Sequence, residues 1–283
     1  MANLRDIRRR IKSVRKTQKI TNAMEMVASA RLRRAEMKLR VARTYVERLR
    51  GVVESLNPML TPDEAPLAQP RADVRNRSLV VISGERGLCG AYNGSVLNRA
   101  EKLLARHPNT RVVAVGQKGA QHFRQHGAAL AGEYVRLLET VTYRQAEAMA
   151  RTLIGMVLNG EADEVALLYH RFASTLHQEL VEERLIPVEL KITGAGELSL
   201  AEHEPAPHEH LNLLLPQLIE GRLYQALLEA ATSEQGARRN AMESATDNAA
   251  DMIHELTLLY NRTRQAAITT EILEVVVGGE SLK

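Results

Sequence analysis

A chain of 283 residues with a net charge of +4, no Trp, two Phe and a single cysteine has sequence for about two domains and for at least one aliphatic core. The lone Cys89 excludes an intrachain disulfide and gives no sign of an oxidising compartment, and the scarcity of aromatics argues against a surface that stacks bases. No apolar run approaches the length of a membrane span, so the chain is expected to be soluble and cytoplasmic. The Arg-rich start could mimic an organellar transit peptide, but its periodicity continues without a break and marks it as mature structure.

Stepping alternately by three and four from Leu4 gives Ile7, Ile11, Val14, Gln18, Thr21, Glu25, Ala28, Leu32, Ala35, Leu39, Ala42, Val46, Leu49, Val53 and Leu56. One heptad phase over this length predicts a helix with a coiled-coil seam, roughly 80 Å long. The seam turns polar at Gln18, Thr21 and Glu25, where Ile20, Met24 and Val27 form an apolar stripe one residue out of phase. Either the buried face rotates locally or a second contact surface begins there. The basic run from Arg5 to Lys19 fits a DNA-reading zipper poorly, because the seam runs straight through it.

Pro58, Pro62, Pro66 and Pro70 break all periodicity and predict a linker. A short β-branched run, Leu79–Ile82, then leads through Ser83-Gly84-Glu85-Arg86-Gly87-Leu88-Cys89-Gly90 into a helix from about Asn93 to Arg106, which is the opening of a βαβ unit. Further elements are expected at Arg111–Val115 (strand), Gln117–Gln125 (helix), Tyr134–Leu138 (edge pairing), Thr142–Leu158 (helix ending at Asn159-Gly160), Glu164–Tyr169 (strand) and Glu179–Ile192 (one or two strands).

The loop after the first strand invites comparison with a nucleotide site. Its glycines, Gly84, Gly87 and Gly90, do not have dinucleotide spacing, no phosphate-loop motif occurs, and Gly116-Gln117-Lys118 stands where a ribose-binding acid would be. The loop is therefore structural or partner-facing. His122 and His126, four apart, and His203, His208 and His210, in a Pro/Glu-rich stretch, lack Cys or a zincin arrangement and are expected to be solvated. No catalytic, cofactor or metal residue is expected.

From His208 the helical period returns, with Pro216 in its first turns. Leu223, Leu227 and Ala230 lead to Ala237, Ala241 and Ala245, and then to Met252, Leu256, Leu259, Thr263, Ala266, Thr270, Leu273 and Val277. Residues 1–50 carry sixteen Lys or Arg against four acids, and residues 209–283 six against eleven. The ends are complementary in sign. The fold class is α/β with long helices: an antiparallel two-helix coiled coil made by the N- and C-terminal helices, with an inserted Rossmann-like α/β domain whose sheet is mostly parallel. The expected divisions are 1–57, 58–77, 78–207 and 208–283. Matching rod lengths at the base leaves an overhang beyond about Arg264, apolar on more than one face.

Four segments carry a family resemblance: Lys19-Ile20-Thr21-Asn22-Ala23-Met24-Glu25-Met26-Val27-Ala28, Gly87-Leu88-Cys89-Gly90, Ala241-Met242 with Ala245-Thr246-Asp247-Asn248-Ala249, and Tyr260-Asn261-Arg262-Thr263-Arg264-Gln265-Ala266-Ala267-Ile268-Thr269. In this order they closely resemble the gamma subunits of F-type ATP synthases over the whole chain. Departures are Asn22 for the usual Lys, Glu85 where Asp is frequent, and Ala91-Tyr92 for a common Gly-Leu pair. The paired-cysteine insertion of chloroplast members is absent.

The resemblance implies a non-catalytic shaft that couples ion, most often proton, translocation to ATP chemistry in the beta subunits. The implied partners are the alpha and beta subunits, the epsilon subunit and the c-ring, with no nucleic acid and no insertion in the membrane. The implied location is peripheral, on the cytoplasmic face of a bacterial plasma membrane. By motif match, Arg238, Gln265 and Thr269 are the implied polar contacts with beta-subunit loops, Met24 lies near an acidic beta-subunit loop, and Ile268 begins the tip.

Overall fold

The computed structural model describes residues 4–56, 66–71, 73–190 and 207–280. Eleven elements follow in chain order: α1 (Leu4–Leu56), β1 (Arg77–Ile82), α2 (Tyr92–Arg106), β2 (Thr110–Val115), α3 (Gln117–Gln125), β3 (Leu130–Tyr134), a 3₁₀ turn (Leu137–Glu139), α4 (Tyr143–Leu158), β4 (Glu164–Phe172), β5 (Gln178–Ile186) and α5 (Pro207–Glu280). Residues Met1–Ala28 with Arg239–Lys283 make one compact unit, and Ser29–Arg238 make the other. The division cuts through both long helices and so differs from the boundaries expected at 57, 77 and 207.

The reason lies in the core of the larger unit. Its five-stranded sheet has the order β3-β2-β1-β4-β5. β1 is parallel to β2 and β4, β2 is parallel to β3, and β5 runs antiparallel to β4. The central strands are apolar on both faces, as parallel strands covered on two sides require. One face packs on α2 and α3 through Leu79, Val81, Val96, Ala100, Ala120 and Phe123. The other face joins α4, the stretch of α1 from Leu32 to Val53 and the stretch of α5 from Leu211 to Ala230 in one continuous cluster. Here α5 is buried on several faces, because one side meets the α/β layer and another meets α1. Close approach is visible at Gly221, where an added Cβ would lie 3.1 Å from Val46 Cγ2. A charged tie adds direction: Arg43 donates from Nε to Glu229 at 3.1 Å and from Nη2 to the Phe172 carbonyl at 2.7 Å.

Local chemistry sets the element ends. Thr142 and Gln145 form a reciprocal capping box that starts α4, and Gly160, at φ 75°, follows its end. The expected edge pairing at Tyr134–Leu138 is corrected. The edge strand is Leu130–Tyr134, while Leu137 and Leu138 turn into the core in the 3₁₀ segment. Part of the proline-rich stretch is also anchored. Leu67 is buried, Arg71 pairs with Asp163 at 2.6 Å, and the other Asp163 oxygen accepts from the backbone of Arg75 and Asn76. These bonds, the one from Asn76 foremost, hold the Asp163 carboxyl below its usual range. Residues 57–65 lie outside the described ones.

In the smaller unit two helix segments pair antiparallel. Thr21 and Thr246 share a hydrogen bond between hydroxyls at 2.7 Å, and Arg8 reaches the Tyr260 hydroxyl at 3.4 Å. Moving thirteen residues back along α1 therefore moves fourteen forward along α5.

Candidate partner-contact surfaces

The heptad seam of α1 persists through its polar segment. Gln18 and Glu25 are half-buried and Thr21 is buried, whereas Ile20 and Val27 are about half exposed. The seam does not shift phase, because the Thr21–Thr246 hydrogen bond satisfies the partly buried hydroxyls that meet there. The out-of-phase apolar residues, with Met26 at 61 % exposure, are thus left facing away from the helix partner. Met24 lies at the margin, half-buried.

The seam of α5 in this unit differs from the expected one. Met242, Ala249, Ile253, Leu256, Thr257, Tyr260 and Thr263 face inward, while Met252 and Leu259 are exposed. Leu256 and Thr263 lie on the seam as expected, but Ile253 and Tyr260 take the intervening positions assigned to Met252 and Leu259, since both faces of this segment carry apolar residues. Beyond Thr263 every side chain that is described is exposed, including Gln265, Ile268, Thr269, Ile272, Leu273 and Val275. Thr269 spends its hydroxyl on the Gln265 carbonyl one turn back, at 3.0 Å. The expected overhang therefore stands at the expected place.

Arg238 is different. In the larger unit it is buried, paired with the equally buried Glu234 one turn earlier, and it donates to the Gly87 carbonyl at 3.4 Å. Burial pushes the Glu234 carboxyl up, and the Arg238 guanidinium offsets only part of that. The motif match groups Arg238 with Gln265 and Thr269, but only the latter two are exposed.

The loop 83–90 is held at many points. Asn93 Oδ1 accepts from Gly84 N at 2.8 Å, and its Nδ2 donates to the Arg86 carbonyl. Ser83 Oγ accepts from Gly119 N and donates to the Val115 carbonyl. Gly116, at φ 92°, has no room for a Cβ, which would lie 2.2 Å from the Ser83 oxygen. The Glu85 carboxylate accepts from Gln117 N at 3.0 Å, at the start of α3, and from Leu138 N at 3.2 Å. A carboxylate thus takes a helix N-terminus where an anionic ligand would otherwise bind, which supports the structural reading of this loop. Tyr92, the departure from the common pattern, donates to the Ala230 carbonyl of α5 at 2.9 Å and stacks on His170. Cys89 is buried beside Asn93, and burial pushes its thiol up. Sequence reasoning missed the contacts of Tyr92 with His170 and Ala230, which nothing in their spacing announces, and it missed Glu234, whose spacing of four from Arg238 on one helix was the available signal.

His122 and His126 are not simply solvated. Among the described residues, Glu101, His122 and His126 form the single cluster with potential ligand atoms all within 4.8 Å of one another. His203 lies outside the described residues, as does the side chain of His208.

Comparison with known proteins agrees with this architecture. A family model described as ATP synthase matches residues 3–282. The ATP synthase gamma chain of Moorella thermoacetica is 43% identical over 288 residues, covering 100% of both chains. That of Solibacter usitatus is 43% identical over 283 residues, covering 98% of each. Among solved structures, a chain of the Euglena gracilis mitochondrial ATP synthase, in an assembly of OSCP, F1 and c-ring, shares the fold at a TM-score of 0.71 and 17% identity, covering 99% of this chain and 94% of its own. A chain from the central stalk and c-ring of the Tetrahymena thermophila mitochondrial ATP synthase gives 0.61 at 23% identity, covering 80% and 99%. End-to-end identity at this level, with the paired terminal helices and the inserted α/β layer, places the chain in the ATP synthase gamma-chain family.

Proposed function

We propose that this chain acts as the turning central shaft of an F-type ATP synthase, coupling ion passage through a membrane c-ring to ATP synthesis or hydrolysis in the beta subunits. The observation that carries the reading is the unpaired end of α5. From Arg264 onward the helix exposes Ile268, Ile272, Leu273 and Val275, an apolar surface that a soluble helix keeps only when another chain wraps it. The alpha and beta subunits supply that wrapping, with Gln265, Ile268 and Thr269 at the contact and Met24 beside an acidic beta-subunit loop. Arg238 enters the set through the loop that it braces, Gly87 in particular.

An asymmetric shaft can make three identical sites differ, because each conformer of a beta subunit meets a different face of it. The α/β layer is the proposed seat for the epsilon subunit and the c-ring. The proposed location is peripheral, on the cytoplasmic face of a bacterial plasma membrane; no helix among the described residues is long and apolar enough to cross a membrane.

The test is assembly of the chain with alpha and beta subunits and observation of a bead fixed to the α/β layer. ATP should drive stepwise turning in one sense. A hexamer that hydrolyses ATP at full rate around a stationary bead would overturn the reading.

A further inference from the structure

The geometry points to a transition-metal site on the outer face of the α/β layer, formed by Glu101 of α2 with His122 of α3 and His126, the residue that caps the end of α3, and suited to Zn²⁺. Helical spacing is the first part of the argument: residues four apart share one face, and the two imidazoles stack with centroids 4.2 Å apart. The third ligand comes from the neighbouring helix, where Glu101 Oε1 lies 2.9 Å from His122 Nε2.

The tautomer of His126 favours ligation, whereas His122 Nε2 donates to the Glu101 carboxylate and exchanges that proton for the ion on binding. His126 Nδ1 lies 2.8 Å from the His122 carbonyl. A carbonyl only accepts, so Nδ1 carries the proton and Nε2 keeps a lone pair for a cation. Metal-bound histidines use this arrangement, the second nitrogen donating to a backbone oxygen and fixing the ring. Zinc bonds of about 2.0–2.2 Å place neighbouring donors roughly 3.3 Å apart in a tetrahedron. The His122–Glu101 separation, a hydrogen bond at 2.9 Å, is a few tenths of an ångström shorter than that, and all the donor atoms lie within 4.8 Å, close enough for side-chain rotation to bring them to one ion. Two imidazoles and one carboxylate select a borderline ion over Mg²⁺ or Ca²⁺, which prefer oxygen shells. The bound ion would bridge α2 and α3, which cover the same sheet face.

The test uses the untagged full-length chain, stripped with chelator, and Zn²⁺ titrated in competition with a chromophoric chelator. We expect one ion per chain, an upward shift in melting temperature on binding, and affinity reduced at least about tenfold in His126→Ala, His122→Ala and Glu101→Gln. A variant with His203, His208 and His210 all replaced by Ala should bind as before. Mg²⁺ at the same concentration should not compete. Circular dichroism on each variant checks that the substitutions, two exposed and one half-buried at His122, leave the fold intact. Absence of competition by the chain, binding that survives His122→Ala and His126→Ala together, or equal binding of Mg²⁺ would each overturn the assignment.

Discussion

The same two helices live in two different environments. Within Ser29–Arg238, α5 is enclosed: Leu211, Leu215, Leu218, Ile219, Leu223, Leu227 and Ala230 have at most 1 % exposure, and Arg238 closes this unit with a buried ion pair. Among the described residues of Met1–Ala28 and Arg239–Lys283, only Ile7, Thr21, Ala28, Met242 and Ala249 are buried, most of them less completely, and Ile20, Met26, Val27, Leu258 and Leu259 are exposed. Apolar content does not distinguish the two regions; the number of covered faces does. One region is built to hold its geometry, and the other keeps apolar surface exposed, where the proposed partners would bind.

The largest effect that sharpens this contrast is expected at Arg238. Replacing it by Ala leaves Glu234 buried without its cation and should cost about 3–5 kcal/mol, read by chemical denaturation. The double change Glu234→Met with Arg238→Met removes both charges and should recover most of that loss. Coupling in the assembled enzyme then separates the two roles of Arg238: a double variant that is stable yet uncoupled makes it a contact, and one that is stable and coupled makes it a brace.

Next in size is a matched pair of truncations. Leu223→Ala, at a fully buried position, should destabilise by about 2–5 kcal/mol. Ile253→Ala, at a half-buried position on the thin seam, should cost about 1 kcal/mol or less, because a site with solvent on one side loses less burial and leaves no sealed cavity. Equal losses would erase the distinction between the two regions.

His170 gives the enclosed region a pH dependence. Burial pushes its imidazole down to about 4, while its Nε2 bonds with Ser95 and Tyr92 stacks on the ring. The unfolded chain takes up the proton first, at an ordinary value of about 6.5. The contribution is therefore complete above about pH 6.5 and declines as pH falls toward about 4, amounting to about 3 kcal/mol. In His170→Gln the acid slope of stability over that window should shrink by up to one proton, and an unchanged slope would assign it to other groups.

How much of this was legible in the sequence depends on the range of the interaction. The helix Leu4–Leu56, the strand runs at 79–82 and 111–115 and the Asn159-Gly160 stop are set by neighbours a few residues away, and the residues there say so. The family followed from four motifs in order. Of the α5 seam, Leu256 and Thr263 were legible but the intervening positions were not, because both faces of that helix are apolar and the choice between Met252 and Ile253, or Leu259 and Tyr260, is made by α1. Nor was the burial of Arg238, which depends on Glu234 one turn away and on a loop some 150 positions earlier in the chain. The out-of-phase residues Ile20 and Val27 left two readings open, and the Thr21–Thr246 hydrogen bond decided between them. For Glu101, the third member of the histidine cluster, sequence offered no signal, since it joins His122 only through the packing of two helices on one sheet face.

The smallest expected effect comes from the end of α5. Every described side chain beyond Thr263 is exposed, and shortening the chain at this end, by removing residues 278–283, should change the stability of the free chain by no more than about 0.5 kcal/mol. Backbone amides from about 265 onward should exchange rapidly in the free chain, because a helix end without tertiary cover opens at little cost. In the assembled enzyme the same amides should become protected, since the wrapping that hides Ile268, Ile272 and Leu273 also holds the helical hydrogen bonds closed. Torque acting lower on the shaft should leave substantial ATP-driven rotation in the truncated chain, whereas replacing Arg238, Gln265 and Thr269 together should impair coupling more. Equal exchange in the free and assembled states would mean that nothing wraps the overhang, and the contrast between an enclosed and a partner-facing region would fail at the point where it is most extreme.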